Sequence, residues 1–388
     1  MLRSSDSTPP ATFIPDISTQ KGCAMIALTG THPSPYKKIS PMDIPCTWKE
    51  KGYVCEPVPE HTDMAAEIRR MAKEKNAVIL AHYYTDGALQ DIADFVGDSL
   101  ALAQQAAKTE ADIIIMCGVH FMAETCSILC PGKKVICPDV NATCSLAESC
   151  PADSFAAFVQ QHPDHKVISY VNTSAATKAW TDVVVTSSNA RQIVESFPKD
   201  QPLIFGPDRN LGAYINSITG RNMLLWDGAC HVHERFSTRK LLALKAQHPD
   251  AEVLVHPECK APVAALADVI GSTAALLKHA VASKAQTFIV VTESGILHKM
   301  RQMAPSKTFI PVPPDDSIDT DTCKIDGQLA DMKCCACNEC NYMRLITMEK
   351  LYNSLLHEWP VVEVPEDIRT KALRPIQRML EISARLGL

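Results

Sequence analysis

Aromatic residues are scarce, 6% of 388, and positive charge is not in excess, with 38 Lys and Arg against 44 Asp and Glu for a net charge of -6. The first shortage removes the platforms on which bases stack, and the second removes the basic face that nucleic acid requires. No stretch approaches the roughly 20 apolar residues of a membrane span. The longest early apolar run, Ala24–Leu28, is too short for a secretory signal. There is no Walker A motif and no GxGxxG after a strand, and His231 and His233 are not in HExxH order. P-loop, dinucleotide-fold and zincin chemistries are thereby excluded. Neither a nucleic acid nor a membrane is expected as a partner.

Cysteine is plentiful, at 16 residues. In a small secreted domain that number would mean disulfides. In a long chain without a clean signal peptide the expected setting is a reducing cytoplasm, where clustered cysteines point to metal. Most single cysteines are expected to be small apolar core residues.

One pattern occurs three times: VILAHYYTDGALQDIADFVGDS (Val78–Ser99), VISYVNTSAATKAWTDVVVTSS (Val167–Ser188) and VLVHPECKAPVAALADVIGST (Val253–Thr273). Each copy has an apolar strand and then a polar triplet: His82-x-Tyr84, Tyr170-x-Asn172 and His256-x-Glu258. The first triplet residue precedes Asp94, Asp182 and Asp268 by 12 in every copy, and five residues further on stand Ser99, Ser187 and Thr273. The copies are spaced by 88 and then 86 residues, which marks a true internal repeat.

Strand alternates with helix throughout, and the strands are continuously apolar, as in DIIIMC. The expected class is α/β, with short parallel sheets covered by helices on both faces. The units are divided as an irregular N-terminal extension over 1–60, unit one over 61–133 with the 367–388 helix packing back on it, unit two over 134–222, and unit three over 223–366 including the Cys-rich segment 323–343. Helices are expected over Thr62–Lys75, capped by Thr62, and over Leu89–Phe95 in part. The opening MLRSSDS has a slight likeness to a transit peptide, against which the nearby acids argue, and Met25 is an alternative start.

Ligands of parallel α/β sheets bind at the carboxyl ends of strands, where all three triplets lie. Ser99, Ser187 and Thr273 follow strands and precede helices, as ordinary N-caps do. At three equivalent positions they also suggest a central pocket for a ligand with several anionic groups. His82 and His256 are candidate acid/bases because histidine titrates near neutral pH, and Glu258 is a candidate general base. Lys178, Glu124, Asp208 and Glu293 lie nearby and are expected to be solvated or paired.

Cys144 follows the third core strand of unit one, and Cys230 follows its counterpart 86 residues on. Unit three should supply its own from Cys334, Cys335, Cys337 and Cys340. One thiolate per unit would leave an iron–sulfur cubane with one iron free to act as a Lewis acid. A three-cysteine zinc site is the competing metal. Taken alone, the spacing of Cys334, Cys337 and Cys340 equally suits a local cluster or a redox thiol pair. The chain would then be an iron–sulfur carrier or sensor, and another cluster-dependent hydro-lyase is a third reading.

The motifs AHYY (81–84), GDSL (97–100), YVNTSA (170–175), TSSNA (186–190), WDGACHVHE (226–234), HPEC (256–259), GST (271–273) and CNYM (340–343) together resemble the quinolinate synthase family of NAD biosynthesis, over Thr62–Leu388. The resemblance implies three α/β/α sandwich domains related by pseudo-threefold symmetry, with the active site between them. It implies condensation of iminoaspartate with dihydroxyacetone phosphate to quinolinate, with a [4Fe-4S] cluster held by Cys144, Cys230 and Cys340. Substrate contacts carried over are His82, Ser99, Tyr170, Asn172, Ser187, His256, Glu258 and Thr273, with Tyr84 and Glu258 in proton transfers. Cys334, Cys335 and Cys337 would be non-ligands, and L-aspartate oxidase, the source of iminoaspartate, is a candidate partner.

Overall fold

The structure, a computed structural model, describes residues 44–315 and 338–388. It contains three four-stranded sheets. The first comprises β1 (Ala77–His82), β2 (Phe95–Gly97), β3 (Ile113–Cys117) and β4 (Lys134–Ile136). The second comprises β5 (Lys166–Tyr170), β6 (Val183–Val185), β7 (Leu203–Gly206) and β8 (Leu224–Leu225). The third comprises β9 (Glu252–Val255), β10 (Val269–Ile270), β11 (Thr287–Val291) and β12 (Thr308–Pro311). Every pairing is parallel, and the strand order is the same each time: β2-β1-β3-β4, β6-β5-β7-β8 and β10-β9-β11-β12. The register repeats as well, with Leu80 opposite Phe95, Ile168 opposite Val183 and Leu254 opposite Val269.

Burial on both faces accounts for the apolar strands: every residue of β3 is buried, as is every residue of β7. The repeated aspartates join the sheets locally. Asp94 accepts a hydrogen bond from the Ile79 N–H at 2.7 Å, Asp182 from Val167 at 2.9 Å and Asp268 from Val253 at 2.8 Å. Each carboxylate therefore ties the segment entering the second strand to the start of the first.

Several expectations need correction. The sequence units were divided at 134 and 223, but β4 pairs with β3 and β8 with β7, so each sheet keeps its fourth strand past those divisions. β2 and β10 were not anticipated. The helix before β2, Gly87–Ile92, stops earlier than the expected Phe95, because Phe95–Gly97 turns back to pair with β1. Asp63, not Thr62, caps the helix Met64–Glu74, accepting from the Ala66 N–H at 3.1 Å, while the Thr62 hydroxyl donates to Pro59 O at 2.7 Å. The described end of the N-terminal extension is not irregular: it holds the helix Cys46–Lys51, whose buried Trp48 packs edge-on against His357 at 4.7 Å.

The C-terminal helix Glu366–Arg385 contacts the helix His120–Leu129 of the first sheet's layer, and it also lies on β6 and the helix Ala175–Lys178 of the second. Asn189 Nδ2 donates to its Ser383 hydroxyl at 2.9 Å. The preceding stretch covers the edge of the first sheet: Val362 N–H donates to Val135 O at 2.8 Å, and Ile136 bridges Val361 antiparallel. No described helix is long and apolar enough to cross a membrane.

Candidate active site

The carboxyl ends of the sheets open onto one cavity of about 640 Å³, its mouth included. His82, Tyr84 and Ser99 line it from the first sheet, Tyr170, Asn172 and Ser187 from the second, and His256, Glu258 and Thr273 from the third. Cys144, Cys230 and Cys340 line the same cavity. The triplet residues, the three hydroxyl residues and these three cysteines are thus brought together, Glu293 joins them, and Lys178, Glu124 and Asp208 do not line the cavity. Cys334, Cys335 and Cys337 lie outside the described residues.

The hydroxyls sit one step from where the sequence put them. Asp98 and Ser272 are the N-caps of the helices Ser99–Lys108 and Thr273–Ala282, so Ser99 and Thr273 are the first helical residues. Ser187 lies in the turn before the helix Ala190–Glu195, whose N-cap is Asn189. Ser188 Oγ crosses between the units, donating to Asp98 Oδ2 at 2.7 Å and meeting Ser272 Oγ at 2.9 Å.

The two histidine triplets share a local geometry. Tyr84 N–H donates to His82 Nδ1 at 3.1 Å, and Glu258 N–H donates to His256 Nδ1 at 3.4 Å. An Nδ1 that accepts leaves the proton on Nε2. Burial lowers both imidazoles to about 3, against a smaller opposing pull from Glu258. Titration near neutral pH, the reason for reading them as acid/bases, is therefore lost, and both are neutral Nε2–H donors.

Glu258 is 3% exposed and yet held ionised. Burial pushes its carboxyl up, but His233 and the Tyr170 hydroxyl, both hydrogen-bonded to it, bring it below the usual carboxylate range. Tyr170 Oη donates to Glu258 Oε1 at 2.5 Å, and His233 Nδ1 meets Glu258 Oε2 at 2.9 Å. His233 Nε2 meets Thr292 Oγ1 at 3.0 Å, Thr292 Oγ1 meets Tyr84 Oη at 2.7 Å, and Tyr84 Oη meets Thr273 Oγ1 at 2.8 Å. Because a carboxylate only accepts, one direction satisfies every link: Thr273 donates to Tyr84, Tyr84 to Thr292, Thr292 to His233, and His233 to Glu258. The Thr–His–Glu segment has the order of a hydrolase triad. Thr292, however, is 1% exposed and does not line the cavity, so it relays rather than attacks. Burial raises Tyr84 and Tyr170 well above ordinary phenols, which keeps both hydroxyls protonated.

The three cysteines are free thiols in matching settings. Cys144 precedes the helix Ser145–Glu148 and its sulfur accepts from the N–H groups of Ala147 and Leu146; Cys340 precedes the helix Asn341–Arg344 and accepts from Met343 and Tyr342; Cys230 accepts from His233. Those donors favour thiolates. Burial nonetheless pushes the bare thiols up, Cys144 to about 11 and Cys340 to about 12. A bound cation reverses that balance, so the donor set suits a thiolate-held metal group.

Cys230, His233 and Glu258 also form a compact trio, with ligand atoms within 4.8 Å of one another. His233 Nδ1 lies 3.2 Å from Cys230 Sγ and 2.9 Å from Glu258 Oε2. These are hydrogen-bond lengths, whereas ligands at about 2.0–2.3 Å from tetrahedral zinc stand roughly 3.3–3.8 Å apart.

Lys178, Asp208 and Glu293 are not solvated: each is 0% exposed. Glu293 Oε1 accepts from the Cys340 N–H at 3.1 Å and lies 3.6 Å from Arg344, which pins the Cys340 turn to the end of β11. Burial pushes the Glu293 carboxyl up to about 7, with Arg344 pulling the other way. His233 and Thr292 are the residues that sequence reasoning missed. His233 stood in view three places after Cys230, and Thr292 had only its position one residue beyond a strand end.

A family model described as Quinolinate synthetase A protein matches residues 66–381. A protein of Thermosynechococcus vestitus named Quinolinate synthase is 56% identical over 321 residues, covering 83% of this chain and 96% of its own. Proteins of the same name from a Synechococcus species and from Chloroherpeton thalassium are 54% and 51% identical, each over 83% of this chain and over 96% and 95% of their own.

Proposed function

The chain belongs to the quinolinate synthetase A protein family, and from that premise we propose that it condenses iminoaspartate with dihydroxyacetone phosphate to quinolinate, phosphate and two waters. The family implies a metal cluster, and the residues suited to a [4Fe-4S] group are Cys144, Cys230 and Cys340. Held by three thiolates, such a group would supply a Lewis acid at its remaining iron.

The observation that carries the reading is the hydrogen-bonded chain from Thr273 through Tyr84, Thr292 and His233 to Glu258, at the wall of a cavity that also holds three free thiols. Glu258, ionised and within reach of the ligand, takes the proton that must leave carbon or nitrogen as the ring forms. In the direction the links donate, a proton that the ligand gives to Tyr84 displaces one through Thr292 and His233 to Glu258, and the protonated Glu258 then gives it to the oxygen that departs as water. Tyr170 steadies Glu258. The neutral Nε2–H groups of His82 and His256, with Asn172, hold substrate oxygens. The hydroxyls of Ser99 and Ser187, with the backbone N–H groups at the helix starts of Ser99 and Thr273, receive carboxylate and phosphate. Iminoaspartate would come from L-aspartate oxidase in the same cytoplasm.

The test is direct. Anaerobically purified protein, given both substrates, should form quinolinate in step with phosphate. Iron-replete protein that releases neither would refute the reaction.

A further inference from the structure

Among the described residues, no lysine or arginine lines the cavity. Two of its lining histidines are neutral, and its thiols and Glu258 are sources of negative charge. Yet the reaction proposed above brings in more negative charge, as phosphate and carboxylates. The lining itself supplies no lysine or arginine to balance that charge.

One stands directly behind it. Lys178, at the end of the helix Ala175–Lys178, is fully buried. Its Nζ donates to Val171 O at 2.8 Å and to Thr173 O, the two carbonyls that flank the lining residue Asn172. It also lies 5.4 Å from the ring centroid of Phe121, another lining residue. Among the described residues no carboxylate oxygen lies within 4.0 Å of this ammonium. Glu124 acts on it only through space and spends Oε2 on the Ala175 N–H at 3.0 Å. Arg344, a cation at the Cys340 turn, is already shared by Asp86, Glu293 and Glu339 at 3.8, 3.6 and 3.3 Å. A buried cation without a contact ion pair is costly unless its counter-charge arrives later. Burial lowers Lys178 only to about 8, with Glu124 and Cys144 opposing, so it is still largely charged at neutral pH.

We infer that Lys178 is the buried counter-charge of this cavity: it favours anionic ligands electrostatically through the Asn172 turn, while its two carbonyl bonds fix that turn. Asn172 has an unpartnered Oδ1 buried at the same place, an acceptor that a ligand N–H or O–H would fill, so the turn is not closed on itself. The inference rests on the proposed reaction only for the identity of the anion.

Lys178→Met keeps the bulk and removes the charge. Glu124→Gln keeps an acceptor for Ala175 and removes the competing negative charge. Anaerobic calorimetric titration with quinolinate, and separately with inorganic phosphate, would be run on iron-replete wild type and both variants. The expected result is affinity about tenfold weaker in Lys178→Met and at least about twofold tighter in Glu124→Gln. A role in shaping the turn alone would not tighten binding in Glu124→Gln, so an unchanged or weaker affinity there overturns the inference. So does a Lys178→Met variant within about twofold of wild type. If Lys178→Met does not fold, the direction in Glu124→Gln decides. Wild type that binds phosphate but not quinolinate removes the substrate reading and leaves Lys178 to be judged on phosphate. Wild type that binds neither removes both.

Discussion

Thr292 has one hydroxyl and two neighbours that need it: it receives Tyr84 Oη and meets His233 Nε2 at the buried centre of the relay. Valine in its place keeps the shape and cuts the path between Tyr84 and Glu258. Thr292→Val should lower kcat by about 10²–10⁴, the usual scale of general acid–base help, with KM nearly unchanged, and Thr292→Ser should restore most of the rate. A Thr292→Val enzyme with wild-type kcat would remove the relay. His82 and His256 make a second prediction. An unfolded histidine takes up a proton near pH 6.5, whereas burial holds these two to about 3. Between those values the unfolded chain binds more protons. Their contribution to stability is therefore fully present above pH 6.5 and is lost as pH falls toward 3, at about 1.4 kcal/mol per pH unit for each histidine. Urea unfolding should show a clearly lower midpoint at pH 5 than at pH 7.5, and equal midpoints would contradict their buried, neutral state.

At the scale of elements, the repeat was legible because its spacing is structural. The interval from His82 to Asp94, copied twice, is the length needed to leave a first strand, form a short helix and bring an aspartate back to that strand's own N–H. The second strands themselves were hidden, since β2 and β10 are three and two residues long and no periodicity is measurable over so few. The N-caps were displaced by one residue because Asp98 and Ser272 stand beside Ser99 and Thr273, and either of each pair suits a cap. The placement of the C-terminal helix was out of reach for a different reason: an apolar stripe states that a face is buried, not against what. In the fold that stripe includes Ala372, Ile376, Met379 and Ile382 and lies largely on the second sheet's layer. Met379 is 0% exposed, so Met379→Ala should cost about 2–5 kcal/mol in chemical unfolding. A loss below about 0.5 kcal/mol, the level of a surface change, would show that the helix is not anchored there.

At the scale of the whole molecule, the cavity exists only because three copies of one unit face each other. His82, Tyr170 and His256 occupy equivalent strand ends, and the sequence shows that equivalence directly. What it does not show is contact between units. The pairing of Tyr84 with Thr273 and Thr292, or of Tyr170 with Glu258, joins residues at least 88 positions apart, and no local pattern specifies it. His233 and Thr292 were missed on that account, and the buried state of Lys178 was as well. The cysteines followed the repeat for two units. For the third the repeat narrowed the choice to four, and the family resemblance selected Cys340, which lies in the cavity beside Cys144 and Cys230. If these three, one from each unit, hold a single cluster, each is needed for it. Iron and sulfide should be measured after anaerobic purification of wild type and of Cys144→Ala, Cys230→Ala, Cys340→Ala and Cys337→Ala. Wild type and Cys337→Ala should carry a four-iron cluster, and each of the other three should lose it. A cluster that survives in Cys144→Ala and Cys230→Ala but not in Cys337→Ala would place the metal locally in the C-terminal group and contradict the shared site.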